Sequence, residues 1–275
     1  MAIKKHMQLP GRIKKTAIYA YTYESFFPRK GLEDIVMRYW STVAHRDLEL
    51  QDMPDGHMKI IFYFHAAGAK NAIKTSGLSD VPSIIKMKKH SQIIGINLRW
   101  GGFFSLFRRP ANFFANRPVS LESIIGSQAA SGFEKVFSVK NLPARIRIID
   151  SNLAKLAENH MPLDPKIKIA LDEIHDYKGC VQIIDLARQL EMSTKQLNRK
   201  FEEWIGINPK IFCSIVRFYN AWQELRATDK SLAAIALEAG YHDQAHFLHE
   251  FKKFHWLTPA QLKDILRVFK YEREY

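Results

Sequence analysis

Two short apolar runs stand out in the first hundred residues. "MKIIFYFH" (Met58–His65) and "IIGINLRW" (Ile93–Trp100) are rich in β-branched and aromatic residues, and they are bounded by "PDG" (Pro54–Gly56) and "GG" (Gly101–Gly102). Runs of this kind predict β-strands. "FFSLFRRPANFFANRP" (Phe103–Pro118) is aromatic and basic and predicts a short helix plus a loop. After Pro143 the period changes. Ile146, Ile149, Leu153 and Leu156 recur at three- and four-residue steps, which predicts an amphipathic helix. "NHMPLDP" (Asn159–Pro165) reads as a linker, and from Lys166 onward almost every segment is helical. The expected architecture is α+β, with a β-rich domain over 1–158, a linker over 159–165 and an all-α domain over 166–275.

The all-α half contains itself twice. "DLARQLEMSTKQLNRKFEEWIGINP" (Asp185–Pro209) aligns with "AIALEAGYHDQAHFLHEFKKFHWLTP" (Ala234–Pro259). Ala187 matches Ala236, Leu197 matches Phe247, Phe201 matches Phe251 and Pro209 matches Pro259, and the second copy has one extra residue in its turn. Each copy reads as a short helix, a tight turn, a polar N-cap and a second helix, over about 183–205 and 232–255. Ser193 with Gln196 has the form of a capping box, and Asp243 is a good N-cap. At ~100° per residue, Leu197, Phe201 and Trp204 share one face of the first copy's second helix. Lys195, Arg199 and Glu202 lie opposite, with Asn198 on the flank. In the later copy Phe247, Phe251 and Phe254 face inward, while Ala245, His249, Lys252 and Lys253 face out and Gln244 opens the helix. A buried aromatic face beneath a polar and basic one suits a helix that lies in a major groove. Between the copies, "PKIFCSIVRFYNAWQELRAT" (Pro209–Thr228) predicts a rod of ~28 Å, near the ~34 Å repeat of one face of B-DNA.

Residues from about 166 to 270 resemble the DNA-binding domain of the AraC/XylS family of bacterial transcription regulators. The landmarks are "LARQLEMSTKQLNRKF", Arg217-x-x-x-Ala221-x-x-x-Leu225 and "AAIALEAGYHDQAHFLHEFKKF…LTP". The resemblance implies a seven-helix domain that places one helix of each copy in adjacent major-groove segments. Two positions depart from the family pattern: Glu191 stands where Gly is usual in the first turn, and Trp256 where Gly is usual before x-Thr-Pro. Glu in a left-handed turn costs ~1 kcal/mol or more. In the first half, "GLEDIVMRYWS", "DMPDGHMKIIFYF" and "IIGINLRWGGFFSLF" resemble a sensing domain of unknown function that often precedes this DNA-binding domain. That likeness implies a small β-rich module, cupin-like in one form, for effector binding or dimerisation. Trp40, Asp55, His57, Tyr63, Arg99 and Trp100 are its candidate ligand contacts, with Arg99 suited to an anion.

Composition narrows the classes further. Hydrophobic residues make up 47% and charged residues 25%, as in ordinary globular chains. Apolar runs stop short of the ~18 residues a membrane helix needs, and the basic N-terminus is not followed by an apolar signal core. Cys180 and Cys213 form no C-x-x-C, so reduced thiols and a cytoplasmic location are expected. Net charge is +13, but residues 164–275 hold 17 Lys/Arg against 16 Asp/Glu, a net of +1. Charge alone therefore points away from the helix-turn-helix half.

The candidate DNA contacts are Ser193, Thr194, Lys195, Asn198 and Arg199, then Asp243, Gln244, Ala245, His246, His249, Lys252 and Lys253. Gln pairs bidentately with adenine, His donates to guanine or phosphate, and Lys neutralises phosphate. His242, His246, His249 and His255 raise the alternative of a metal site, but such a site needs converging ligands, so neither metal nor cofactor is assigned. The expected function is sequence-specific transcription regulation without enzymatic activity. Its expected partners are double-stranded promoter DNA, a small-molecule effector, a second copy of the chain and RNA polymerase, with no membrane. The competing reading is an N-terminal metal-dependent enzyme using His57 or His65, with the C-terminal domain targeting it to DNA.

Overall fold

A computed structural model describes residues 12–18, 20–66 and 70–271. The outer ends of the two expected domains, 1–11 and 272–275, lie outside the described residues. The strands are β1 (Arg12–Ile18), β2 (Tyr21–Phe26), β3 (Val36–Ala44), β4 (Leu48–Asp52), β5 (Lys59–Phe64), β6 (Ala72–Ser76), β7 (Ser83–Met87), β8 (Gln92–Leu98) and β9 (Pro118–Ser120). Between β8 and β9 come α1 (Gly102–Phe107) and a 3-10 turn, Ala111–Phe114. Then follow α2 (Leu121–Glu134) and α3 (Leu142–Ala157). The second half is α4 (Pro165–Asp176), α5 (Ile183–Gln189), α6 (Thr194–Ile205), α7 (Pro209–Ala227), α8 (Leu232–Glu238), α9 (Gln244–Phe254) and α10 (Pro259–Tyr271). The chain is thus α+β, a strand-rich region followed by a domain with seven helices among the described residues.

Seven strands form an antiparallel sheet in the order β1-β2-β3-β8-β5-β6-β9, and β4 pairs with β7 in a second sheet. Both apolar runs are central strands. Their side chains alternate between faces, as strand geometry requires. In β5, Ile60, Phe62 and Phe64 join the main core with α2 and α3, while Ile61 and Tyr63 pack with Trp40, Leu48, Leu50 and Ile85 under the small sheet. The helical period after Pro143 becomes α3, where Ile146, Ile149 and Leu153 are buried. A polar clamp holds α3 to the sheet: the Tyr39 hydroxyl donates to Asp150 at 2.7 Å, and Arg29 pairs with the same carboxylate.

The stretch after α3 is no free tether. Met161 N donates to Ser105 O at 2.9 Å, and Arg108 Nη2 donates to Asn159 O at 3.0 Å. One continuous core therefore runs from the main sheet through α1 into the second half. There α6 lies against α1 and the 3-10 turn. The rings of Phe104 and Trp204 stand 4.5 Å apart between centroids, and Trp100 meets Phe212 edge-on at 5.3 Å.

Candidate nucleic-acid interface

The two helix pairs, α5–α6 and α8–α9, are built alike from the residues up. In the first turn Met192 N donates to Ala187 O at 2.9 Å and Glu191 N to Arg188 O at 3.0 Å. In the second, Tyr241 N donates to Ala236 O and Gly240 N to Leu237 O, both at 3.0 Å. Glu191 has φ 52° and Gly240 has φ 79°, so the glutamate adopts the left-handed backbone and the turn keeps its form. The cost of glutamate at this position is held as backbone strain and does not alter the turn.

Helix α6 opens with a complete capping box: Ser193 Oγ accepts from Gln196 N at 3.2 Å, and Ser193 N donates to Gln196 Oε1 at 2.8 Å. Leu197, Phe201 and Trp204 are buried, while Ser193, Thr194, Lys195 and Arg199 are exposed and Asn198 is half-buried. Helix α9 opens on Asp243, whose Oδ1 accepts from His246 N at 2.7 Å. That backbone bond, with His242 Nδ1 at 3.1 Å, holds the Asp243 carboxyl below its usual range. Phe247, Phe251 and Phe254 are buried beneath α9, and Gln244, Ala245, His246, His249, Lys252 and Lys253 are exposed. All twelve candidate DNA contacts thus stand at the N-termini or on the outer faces of the two second helices, with Asn198 at a flank.

The helix ends differ. Gly206 closes α6 in the left-handed region at φ 103°, whereas His255 leaves α9 in extended conformation and Trp256, half exposed, follows without a left-handed residue. Between the pairs, α7 is capped by Asn208, whose side chain accepts from Ile211 N at 2.9 Å. Its 19 residues give a rod of ~28 Å. On its inner side Arg217 donates to Gly179 O at 2.6 Å and pairs with the buried Glu250 of α9 at 3.3 Å. Tyr241 lies against this pair, and burial with the Glu250 charge pushes its phenol well above the ordinary value. This network fixes α9 on the rod.

A cleft of about 890 Å³ opens between the sheet's end and helices α4 and α7. Asp55, His57, Arg99 and Trp100 come together there, facing Asp172, His175, Tyr219 and Gln223. His57 stacks on Trp100 at 5.8 Å and its Nδ1 lies 2.9 Å from Leu98 O. Burial lowers the His57 pKa against the pull of Asp55. Burial would raise Asp55, but Lys59 and His57 outweigh it and hold the carboxyl below its usual range. Trp100 Nε1 is buried with no hydrogen-bond partner among the described residues. Trp40 and Tyr63, expected in the same pocket, lie elsewhere. Strand alternation points both toward the small sheet, where Trp40 Nε1 donates to Asn97 Oδ1 at 2.8 Å. The α4 and α7 members of the cleft escaped sequence reading because only tertiary packing brings them to the Pro-Asp-Gly-His turn.

The histidines in and around α9 diverge. His242 bonds to Asp243, His246 lies 3.9 Å from Glu250, and buried His255 accepts from Leu257 N at 3.0 Å. Among the described residues no three His, Cys, Asp or Glu side chains gather as a metal site, at His57 and His65 included, and no helix is long and apolar enough to cross a membrane.

Comparison with known proteins agrees with this geometry. Residues 186–264 match a family described as a helix-turn-helix domain, and residues 24–120 match a domain of unknown function (DUF6597). An uncharacterized HTH-type transcriptional regulator of Haemophilus influenzae is 38% identical over 81 residues, 30% of this chain and 27% of that protein. The HTH-type transcriptional regulator MtrA of Neisseria gonorrhoeae is 31% identical over 72 residues, 26% of this chain and 24% of that protein. The chain thus spans about a quarter of the length of these relatives. Among solved structures, ToxT of Vibrio cholerae is similar at 9% identity and TM-score 0.46, over 90% of this chain and 100% of that one.

Proposed function

Because the chain carries a helix-turn-helix domain of the AraC type, we propose that it is a sequence-specific transcription regulator reading promoter DNA through α6 and α9. One observation carries the reading: two helix pairs of the same construction, joined by a rod of about one helical repeat, each expose a capped, polar helix face. Lys195, Arg199, Gln244, His246 and His249 address base edges. Lys252 and Lys253 address phosphates, Asn198 makes a lesser contact from the flank of α6, and Ser193, Thr194, Asp243 and Ala245 frame the helix starts. In this reading residues 1–158 are the effector or dimerisation domain, 159–165 the joint and 166–275 the DNA-binding domain. The protein works in the cytoplasm without enzymatic activity.

The effector site is the cleft at Asp55, His57, Arg99 and Trp100. Its walls belong to both halves, so a small molecule seated there bears on α7 and hence on the placement of both reading helices. The buried, unsatisfied Trp100 Nε1 favours a ligand with a hydrogen-bond acceptor. Self-association and contact with RNA polymerase complete the regulatory scheme.

Genome-wide DNA capture with the full chain supplies the site; titration of that site then tests the helices. Arg199→Ala and Gln244→Ala are each expected to cost about 1–3 kcal/mol on the captured site and less on a scrambled one. Equal affinity of wild type and variants for both duplexes would defeat the assignment.

A further inference from the structure

The helix-turn-helix half is nearly neutral: residues 164–275 carry 17 basic against 16 acidic residues. Helix α6 itself sets Lys195, Arg199 and Lys200 against Glu202 and Glu203. Lys200 is taken up by the Asp164 carboxylate. A surface of this kind offers little compensation to a DNA backbone, on which affinity for duplex largely depends.

Basic residues of the other half flank the elements on which α6 is seated. From Val81 to Leu121 the chain holds seven Lys or Arg and no Asp or Glu; Lys86 and Lys88 pair with Glu49 and Asp47 at the small sheet, Arg99 lines the cleft, and Arg108, Arg109 and Arg117 flank α1 and the 3-10 turn. This carboxylate-free segment includes α1 and the 3-10 turn, the two elements against which α6 packs. The contact is close: a side chain at Gly206 would meet the Ala111 carbonyl oxygen at 3.2 Å. Around the turn, Arg109 and Arg117 are exposed. Arg117 donates to the Phe113 carbonyl oxygen through Nε and Nη2, at 3.0 and 2.8 Å, and the residue remains exposed. Arg109 has neither a hydrogen bond nor an ion pair among the described residues.

We propose that the Arg108–Arg117 loop of the N-terminal domain is part of the DNA-binding surface, with Arg109 and Arg117 neutralising backbone phosphates beside the groove segment entered by α6. The proposal rests on the regulator reading above. It adds that the domain taken for sensing touches DNA directly, so a change in how α6 sits on α1 alters the footprint as well as the helix angle. Exposed guanidiniums are suited to this, since they remain charged and present several donors in a fork.

The test uses the full chain and a random-sequence duplex of about three helical turns, with affinity followed by fluorescence anisotropy across a salt series. Arg109→Ala and Arg117→Ala are each expected to lower the slope of log K against log salt by about one unit, and to weaken binding on the order of tenfold near 0.1 M salt. Arg109→Lys keeps the slope, and the melting temperature of R109A stays that of wild type. Lys252→Ala, on α9, reports separately on the regulator reading. If K252A flattens the slope while R109A and R117A leave it unchanged, the loop is not at the DNA and only this proposal falls. If R109K loses as much as R109A, charge is not the cause and the proposal falls as well. Salt-independent behaviour of the wild-type chain would overturn both.

Discussion

The seating of α6 on the N-terminal domain rests on a pair of rings, and its strength can be worked out. Phe104 is 8% exposed and Trp204 is 6% exposed, with centroids 4.5 Å apart and planes tilted by 43°. Replacing either by alanine is expected to cost about 3–5 kcal/mol, a large part of the ~5–15 kcal/mol that holds a typical domain folded. Leucine at each position retains an apolar filler and brings the single costs down to about 1–2 kcal/mol, or roughly 2–8 °C in melting temperature. Beyond the area each ring buries, a tilted aromatic pair contributes about 0.5–1.5 kcal/mol. A double-mutant cycle of F104L, W204L and F104L/W204L, followed by urea unfolding, should therefore return a coupling of that size. Because the two rings belong to different halves, the coupling measures the interdomain contact and not the core of either half. Additivity within about 0.3–0.5 kcal/mol would refute the seating of α6 on α1, and with it the route proposed above from the cleft and the Arg108–Arg117 loop to DNA.

Three further outcomes follow from named side chains. Glu191→Gly relieves a left-handed backbone at φ 52° and is expected to stabilise the chain by about 1 kcal/mol, read as a higher denaturant midpoint with unchanged m-value; a lower midpoint would show that the side chain has a compensating role. Arg217→Met removes the arginine partner of the buried Glu250 carboxylate and leaves it Ser214 Oγ at 3.2 Å and the His246 ring at 3.9 Å, a loss of up to about 3–5 kcal/mol, whereas R217M/E250M should regain most of it; equal stability of R217M and wild type would show that the pair is not buried as described. For His57, burial lowers the folded pKa below the unfolded value of ~6.5, so the folded chain binds fewer protons. Its contribution is complete above about pH 6.5 and is lost as the pH falls from there toward the folded value. Stability measured from about pH 7.5 to 5.5 should decline less in His57→Gln than in wild type, and parallel profiles would contradict this.

What could be read in advance divides along the range of the interactions. The doubled helix pair was legible because its determinants are local: a cap, a turn and a three-to-four-residue period lie within a single copy, and the copies corroborate each other. Central strands were legible for the same reason, since Ile60, Phe62 and Phe64 alternate with Ile61 and Tyr63 within one short run. The proposed effector cleft was legible only in part. Asp55 and His57 share one turn and Arg99 and Trp100 another, so the chain brings them together at the ends of neighbouring strands. Trp40 and Tyr63 lie within strands, where the face a side chain takes depends on register, and composition does not reveal register. The opposite wall, from Asp172 to Gln223, depends on how two halves dock and has no local signature at all. Net charge misled for a related reason: it places the basic residues in the first half of the chain, whereas the docking of α6 brings part of them to the helix-turn-helix.

The two turns show how a departure from a family pattern can leave the fold intact. At Gly240 two constraints coincide: φ is 79°, and a Cβ would run into the Cys180 sulfur that packs against the turn. At Glu191 only the first applies, since the side chain is exposed. A left-handed φ alone costs about 1 kcal/mol, which a domain with several buried aromatic residues absorbs; a steric conflict with a packed neighbour adds a displacement on top of it. The copies therefore differ in tolerance because their surroundings differ, although their turns make the same hydrogen bonds. Gly240→Ala should accordingly destabilise the chain by more than the gain from Glu191→Gly, and Cys180→Ala should recover part of that loss by making room for the new methyl group. Should G240A cost no more than the backbone term, or C180A bring no recovery, the packing of Cys180 against the second turn would not be what keeps glycine there.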